Sequence, residues 1–279
     1  MGCAVRAETA GRRTTGLARV ASMRIARFIT GENPQYGILD EEAEDLIALR
    51  GDPIYGGLDT TGQRVPLDEV RLLSPVIPRS KVIGIGRNYA EHATELGNEV
   101  PEEPLVFLKP NTSVVGPDDP IVLPAWTNEV HHEAELAVVI SRLCKFVPAE
   151  KADDVIFGYT AANDVTARDV QATDGQWTRA KGFDTSCPIG PYLALDLDIS
   201  DLAVRARVDG ELRQDGRTSQ LVRSVPELVA YVSSIFTLLP GDVILTGTPA
   251  GVGPIDVGQR VEIEVEGIGS FSNPVLRRD

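Results

Sequence analysis

The sequence is poor in the residues that thiol and soft-metal chemistry require. Across 279 residues it has three cysteines, three histidines and two tryptophans. Cys3, Cys144 and Cys187 are odd in number and far apart. They support neither a disulfide framework nor a thiolate zinc site, and they fit a reducing cytoplasm. No Gly-x-Ser-x-Gly occurs, and so few histidines leave serine-hydrolase chemistry little support. Gly84 and Gly86 are too closely spaced and wrongly followed for a dinucleotide fingerprint, and the glycine-rich stretch 246–253 lacks the Lys-Ser/Thr ending of a P-loop. No apolar run approaches the roughly 20 residues of a membrane span. Positive charge is also scarce: Lys and Arg number 27 against 41 Asp and Glu, a formal charge of −14. Such an excess repels phosphate backbones and anionic lipid, which argues against nucleic-acid and membrane partners.

What is present divides into three parts. Residues 1–22 carry four arginines against one acid, Glu8, and lack the apolar core of a secretory signal. They read as a disordered extension or an over-long start, with translation beginning at Met23; a transit peptide is the alternative. Residues 23–78 alternate short strand-like runs with turn signals and form a small N-terminal β-module ending at Pro75 and Pro78. Residues 79–279 form the main module. Residues 204–208 alternate cleanly, and Asp209-Gly210 supplies a hairpin turn. One helix is well signed: Ser224 and Glu227 form a capping box, with Leu228, Val232, Ile235 and Phe236 on its apolar face. Many strands, few helices and no βαβ alternation predict a β-dominated α+β fold.

Four segments carry candidate chemistry. In His-His-Glu-Ala-Glu-Leu-Ala-Val-Val-Ile (131–140), a strand beginning by Glu133 would put Glu133 and Glu135 on one face. Adjacent carboxylates running into apolar residues repel unless a cation lies between them, and a hard divalent ion such as Mg²⁺ meets that need. A solvated acidic strand end is the plain alternative. In 158–171, Asp164 interrupts an apolar strand and is a plausible third ligand, or else an Asx turn. Arg168 and Gln171 lie a helical turn apart there. His92 and Glu95 are i, i+3 neighbours if helical, so the carboxylate can orient the imidazole as a water-activating base; a surface pair is the ordinary reading. Gly97 and Pro-Glu-Glu-Pro (101–104) make a polar connection able to serve as a lid. Lys181 beside a cation site would stabilise an enolate or carboxylate, and the loop 246–253 can bring backbone N–H groups and the Thr248 hydroxyl to a carboxylate. His131 and His132 suit outer roles, because a hard oxygen site does not need them as ligands.

Together these segments resemble the fumarylacetoacetate hydrolase family. The motifs are Gly-Arg-Asn-Tyr-x-x-His-x-x-Glu (86–95), Phe-Leu-Lys-Pro (107–110), His-His-Glu-x-Glu-Leu-Ala-Val-Val (131–139) and Asn-Asp-Val-Thr-Ala-Arg-Asp-x-Gln (163–171). Trp-x-x-x-Lys-Gly-Phe-Asp (177–184) and Pro-Gly-Asp-Val-Ile-x-Thr-Gly-Thr-Pro-x-Gly-Val-Gly (240–253) complete the set, and the similarity runs from Met23 to Phe271. The resemblance, closest to acylpyruvate hydrolases and 2-hydroxyhepta-2,4-diene-1,7-dioate isomerases, implies a mixed β-sandwich roll behind the small N-terminal module, as a cytoplasmic homodimer. It implies Mg²⁺ or Mn²⁺ held by Glu133, Glu135 and Asp164. It implies a His92–Glu95 dyad on a lid, with Lys181, Arg168, Gln171 and Thr248 contacting substrate. The expected reaction is hydrolytic C–C cleavage of a 2-oxo acid of acylpyruvate or fumarylpyruvate type, through an enolate stabilised by the cation and Lys181. Isomerisation of a 2-hydroxydienoic acid in aromatic catabolism, or decarboxylation of oxaloacetate or a 5-carboxymethyl-2-oxo-hex-3-ene-1,6-dioate, would exploit the same enolate. A catalytically idle metal-binding scaffold is the competing class.

Overall fold

The computed structural model of the chain describes residues 22–277, so the expectations for residues 1–21 lie outside the described residues. β-Structure dominates, as expected. A twelve-stranded sheet forms the backbone of the molecule. From the interior to one edge its strands, in spatial order, are Met23–Ile29, Cys187–Leu195, Ile156–Asn163, Ala134–Ile140, Val243–Leu245, Val82–Gly86 and, at the edge, Leu105–Lys109. Most neighbours are antiparallel, with a parallel pair between Val243–Leu245 and Val82–Gly86. A five-stranded sheet, built on the hairpin Ala203–Val208/Glu211–Arg217 and on Arg260–Val265 and Gly269–Arg277, packs against one face. A small three-stranded sheet joins Val130–His132, Thr166–Ala167 and Gly253–Pro254.

Strand Ala134–Ile140 is buried along its whole length because it is covered on both faces. Leu136, Val138 and Ile140 meet Val204, Ala206 and Ile263 of the second sheet, while Ala137 and Val139 meet Ile189, Leu193 and Val243 of the opposite core. That double burial explains a near-continuous apolar run, as for any strand covered by a layer on each side. Each fully buried Leu or Ile there contributes about 1.5–3 kcal/mol relative to exposure.

The predicted hairpin and helix form. Asp209 and Gly210 both take positive φ (51° and 84°), the conformation that a two-residue turn of the primed type requires. Helix Val225–Ile235 has its Ser224–Glu227 capping box, and Leu228 and Val232 are buried beside Val229. Ile235, expected on the apolar face, is instead exposed, because it occupies the last turn where the helix leaves the core. The strands of residues 23–78 do not stand apart as a separate sheet. Met23 pairs with Leu195 and Ile25 with Leu193, so they extend the main sheet edge-on, with their own small core of Ala26, Phe28, Leu46 and Val65.

Candidate active site

Register builds the acidic centre. In the antiparallel pair, Ala134 faces Asn163 and Glu135 faces Ala162. The residues just past the pairing are therefore neighbours: Asp164 N–H donates to the Glu133 carbonyl at 2.9 Å, and Glu133 N–H donates to Asn163 Oδ1 at 2.9 Å. Glu133 lies just before strand Ala134–Ile140 rather than inside it, because its N–H is taken by a side chain instead of a ladder. One carboxylate oxygen from each of Glu133, Glu135 and Asp164 lies within 4.8 Å of the others, and all three residues are buried. A solvated acidic edge and a free Asx turn are both overturned.

Three basic side chains face these acids. Lys181 Nζ donates to Glu133 Oε2 at 2.8 Å and to Asp164 Oδ2 at 2.6 Å, and it lies 4.9 Å from the centre of the Phe107 ring. Arg168 pairs with Glu133 and donates to Gln171 Oε1 at 2.8 Å. Lys109, fully buried at the end of its strand, donates to Asp164 Oδ1 at 2.6 Å. Burial works to raise the Glu133 carboxyl, but Lys181, Arg168 and His92 hold it well below the usual carboxylate range. Lys181 is raised: burial opposes its charge, and Asp164 and Glu133 more than offset that. Glu135 is different. Among the described residues it has no salt bridge, and its Oε2 accepts only the Gly247 N–H, at 2.6 Å. Burial first, then Asp164 and Glu133, push its carboxyl well above the ordinary value. An acid so placed favours its protonated form, and a nearby cation would favour the charged one.

The residues therefore fit a hard divalent ion. Three carboxylates converge, one of them lacks a counter-ion, and no thiolate or imidazole belongs to the group. His131 bonds Glu129 at 3.0 Å and His132 bonds Gln214 at 3.0 Å, both outside the acidic centre. Burial lowers His132 to about 4, so it stays neutral at physiological pH.

His92 lies on the short helix Ala90–Glu95, with Nδ1 3.4 Å from Glu95 Oε2. Both Glu95 oxygens also accept the Gly251 N–H, at 3.1 Å. Burial lowers the imidazole below its ordinary 6.5, against the pull of Glu133 and Glu95. His92, Glu133, Glu135, Arg168, Gln171, Lys181 and Thr248 all line one cavity of about 440 Å³, with Asp164 behind the two glutamates and Glu95 behind His92. Trp177, stacked edge-on against Phe107 at 5.6 Å, forms part of its wall. The Thr248 hydroxyl is not free as expected. It donates to the Ala134 carbonyl and accepts from Gln214 Nε2, both at 2.8 Å.

A model of the family described as fumarylacetoacetate (FAA) hydrolase, C-terminal, matches residues 81–276. The chain belongs to the fumarylacetoacetate hydrolase family. It is an enzyme of that family, whose named members include isomerases and hydrolases. A second model, Rv2993c-like N-terminal, matches residues 23–75. Protein Rv2993c of Mycobacterium tuberculosis is 49% identical over 263 residues, covering 92% of this chain and 99% of that one. The crystal structure of a 5-carboxymethyl-2-hydroxymuconate delta-isomerase from Mycobacterium smegmatis superposes with a TM-score of 0.85 at 50% identity, over 92% of this chain and all of that one. A maleylpyruvate hydrolase from Sphingobium sp. SYK-6, in complex with manganese(II) and pyruvate, gives 0.75 at 33% identity with the same coverage.

Lys109 belongs to the Phe-Leu-Lys-Pro motif, and sequence pattern alone assigns it no role. A lysine closing an apolar strand normally snorkels to water, and only the fold brings this one beneath Asp164. Lys109→Met should cost about 1–3 kcal/mol of stability in urea unfolding, since it leaves Asp164 Oδ1 without its donor while Lys181 keeps Oδ2. A loss below about 1 kcal/mol would mean that water takes over the contact.

Proposed function

We propose that the chain is a divalent-cation-dependent hydrolase that splits a 2-oxo acid of acylpyruvate or fumarylpyruvate type into pyruvate and a carboxylic acid. The observation that carries this reading is the meeting of a neutral, carboxylate-oriented imidazole with the buried acidic triad and Lys181 in one cavity. Glu133, Glu135 and Asp164 would hold the ion, with Mg²⁺ suited to three hard oxygens and Mn²⁺ close to it. When bound, the ion supplies Lewis-acid polarisation of the substrate's carboxylate and 2-oxo oxygens.

The protein's own groups do the rest. With Nδ1–H donated to Glu95, His92 keeps the Nε2 lone pair for a water proton. The water oxygen adds to the distal carbonyl, and the bond from that carbon to C3 of the 2-oxo acid breaks. Its electron pair passes into the departing pyruvate enolate, which the Lys181 ammonium stabilises. Arg168 and Gln171, locked together by their 2.8 Å bond, orient the substrate carboxylate. The Thr248 hydroxyl fixes the loop rather than donating to substrate.

A second reading is favoured by the 50% identity to the delta-isomerase. Isomerisation or decarboxylation needs the same enolate-stabilising groups and no water. A panel of acylpyruvates, fumarylpyruvate, oxaloacetate and hydroxydienedioates, each with Mg²⁺, Mn²⁺ or EDTA, tests both. Equimolar pyruvate and acid from the acylpyruvates is the expected result. Faster isomerisation or CO₂ release selects the second reading, turnover unchanged by EDTA overturns both, and silence throughout favours a metal-binding scaffold.

A further inference from the structure

Lys109, Lys181 and Arg168 are all engaged by Glu133 and Asp164 of the centre. One cation on the cavity wall is left over. Arg87 is half-buried and lines the same cavity, yet among the described residues it forms no hydrogen bond, ion pair or ring contact. Its backbone sits at φ 59°, a left-handed conformation disfavoured for a residue with a Cβ. The next residue holds it there. Asn88 is buried, donates to the carbonyls of Thr246 (2.8 Å) and Arg223 (3.1 Å), and accepts the Arg223 N–H at 2.9 Å. The chain thus fixes the Arg87 backbone between the end of strand Val82–Gly86 and the His92 helix, and among the described residues its guanidinium has no partner.

We infer that Arg87 is the receptor for a second anionic group of the substrate, at the end remote from the 2-oxo acid head. The inference rests on the proposed 2-oxo acid site and adds a selectivity to it: dianionic 2-oxo acids over monoanionic ones. Arg168 and Lys181 stand against Glu133 and Asp164, where the proposed reading already uses them at the 2-oxo acid head. A planar guanidinium suits a carboxylate better than an ammonium does, because it can offer two parallel N–H donors.

The test compares fumarylpyruvate with acetylpyruvate on the Mg²⁺-loaded wild type, Arg87→Asn and Arg87→Lys. Asparagine tolerates the left-handed backbone, so Arg87→Asn removes the charge without new strain. The ratio of kcat/KM for the dianion to that for the monoanion should fall about 10- to 100-fold in Arg87→Asn, carried by KM, with partial recovery in Arg87→Lys. An unchanged ratio overturns the inference. Calorimetric binding of 2-oxoglutarate and pyruvate to the same Mg²⁺-loaded proteins separates it from the hydrolase reading. Should neither acylpyruvate turn over, the hydrolase reading falls, while a preference for 2-oxoglutarate that Arg87→Asn abolishes still supports the receptor. Equal loss of both ligands overturns it.

Discussion

Glu135→Gln should abolish divalent-ion binding and turnover together. The amide keeps the shape of the side chain and the bond from the Gly247 N–H, but it supplies no negative charge to the one position that lacks a basic partner. The loss should exceed the ten- to hundredfold typical of removing an outer partner of a metal ligand. Calorimetric titration with Mg²⁺ and Mn²⁺ reads the binding, and the substrate panel reads the rate. Retained affinity at full strength would show that the ion does not need this residue. The variant has a second signature in the metal-free protein. The folded pKa of Glu135 lies above its ordinary 4.5, so its favourable contribution is present below that value and lost as pH rises through the folded one. In EDTA, the Tm of the wild type should therefore fall relative to that of Glu135→Gln across that window. Parallel curves would mean that the carboxyl titrates normally.

His92→Ala should lower hydrolytic kcat by about 10²- to 10⁴-fold, the usual worth of a positioned general base. Metal affinity should be retained, because His92 makes no hydrogen bond to the acidic triad; among the described residues its ring bonds Glu95 alone. Loss of affinity in step with the rate would make the imidazole part of the ion site instead. The pH profile gives an independent check. The base works in its neutral form, which exists above its folded pKa, and burial sets that value below 6.5. The acid limb of the wild-type rate should accordingly lie below 6.5 and be absent from the residual activity of the variant. If isomerisation or decarboxylation survives in His92→Ala while hydrolysis does not, the imidazole serves water activation alone.

Much of the fold class and the centre could be read from residue patterns, and the reasons are local. The Glu-x-Glu spacing, the Asn-Asp pair and the i, i+3 dyad are short-range features whose geometry follows from strand and helix periods. The family resemblance carried what periodicity could not, namely which distant segments converge. Pairing of Ala134 with Asn163 brings Asp164 to Glu133, and nothing within either strand announces that register. Lys109 and Gln214 escaped notice for the same cause: each sits in a strand where a polar residue normally faces water. Gln214 instead accepts the Ala134 N–H at 2.9 Å and holds Thr248. The continuity of the N-terminal strands with the main sheet was equally hidden, since edge pairing leaves no mark in composition. Ile235 shows the limit of helix periodicity, which cannot say where the core ends.

The loop after strand Val243–Leu245 touches both halves of the proposed chemistry. Gly247 N–H reaches Glu135 and, four residues on, Gly251 N–H reaches Glu95. Gly251 has φ 96°, and a Cβ there would stand 2.1 Å from the Arg213 carbonyl oxygen. This short span of main chain therefore acts as a ruler. It sets the interval between the acidic centre and the imidazole, so any shift of the loop would put the two out of step at once.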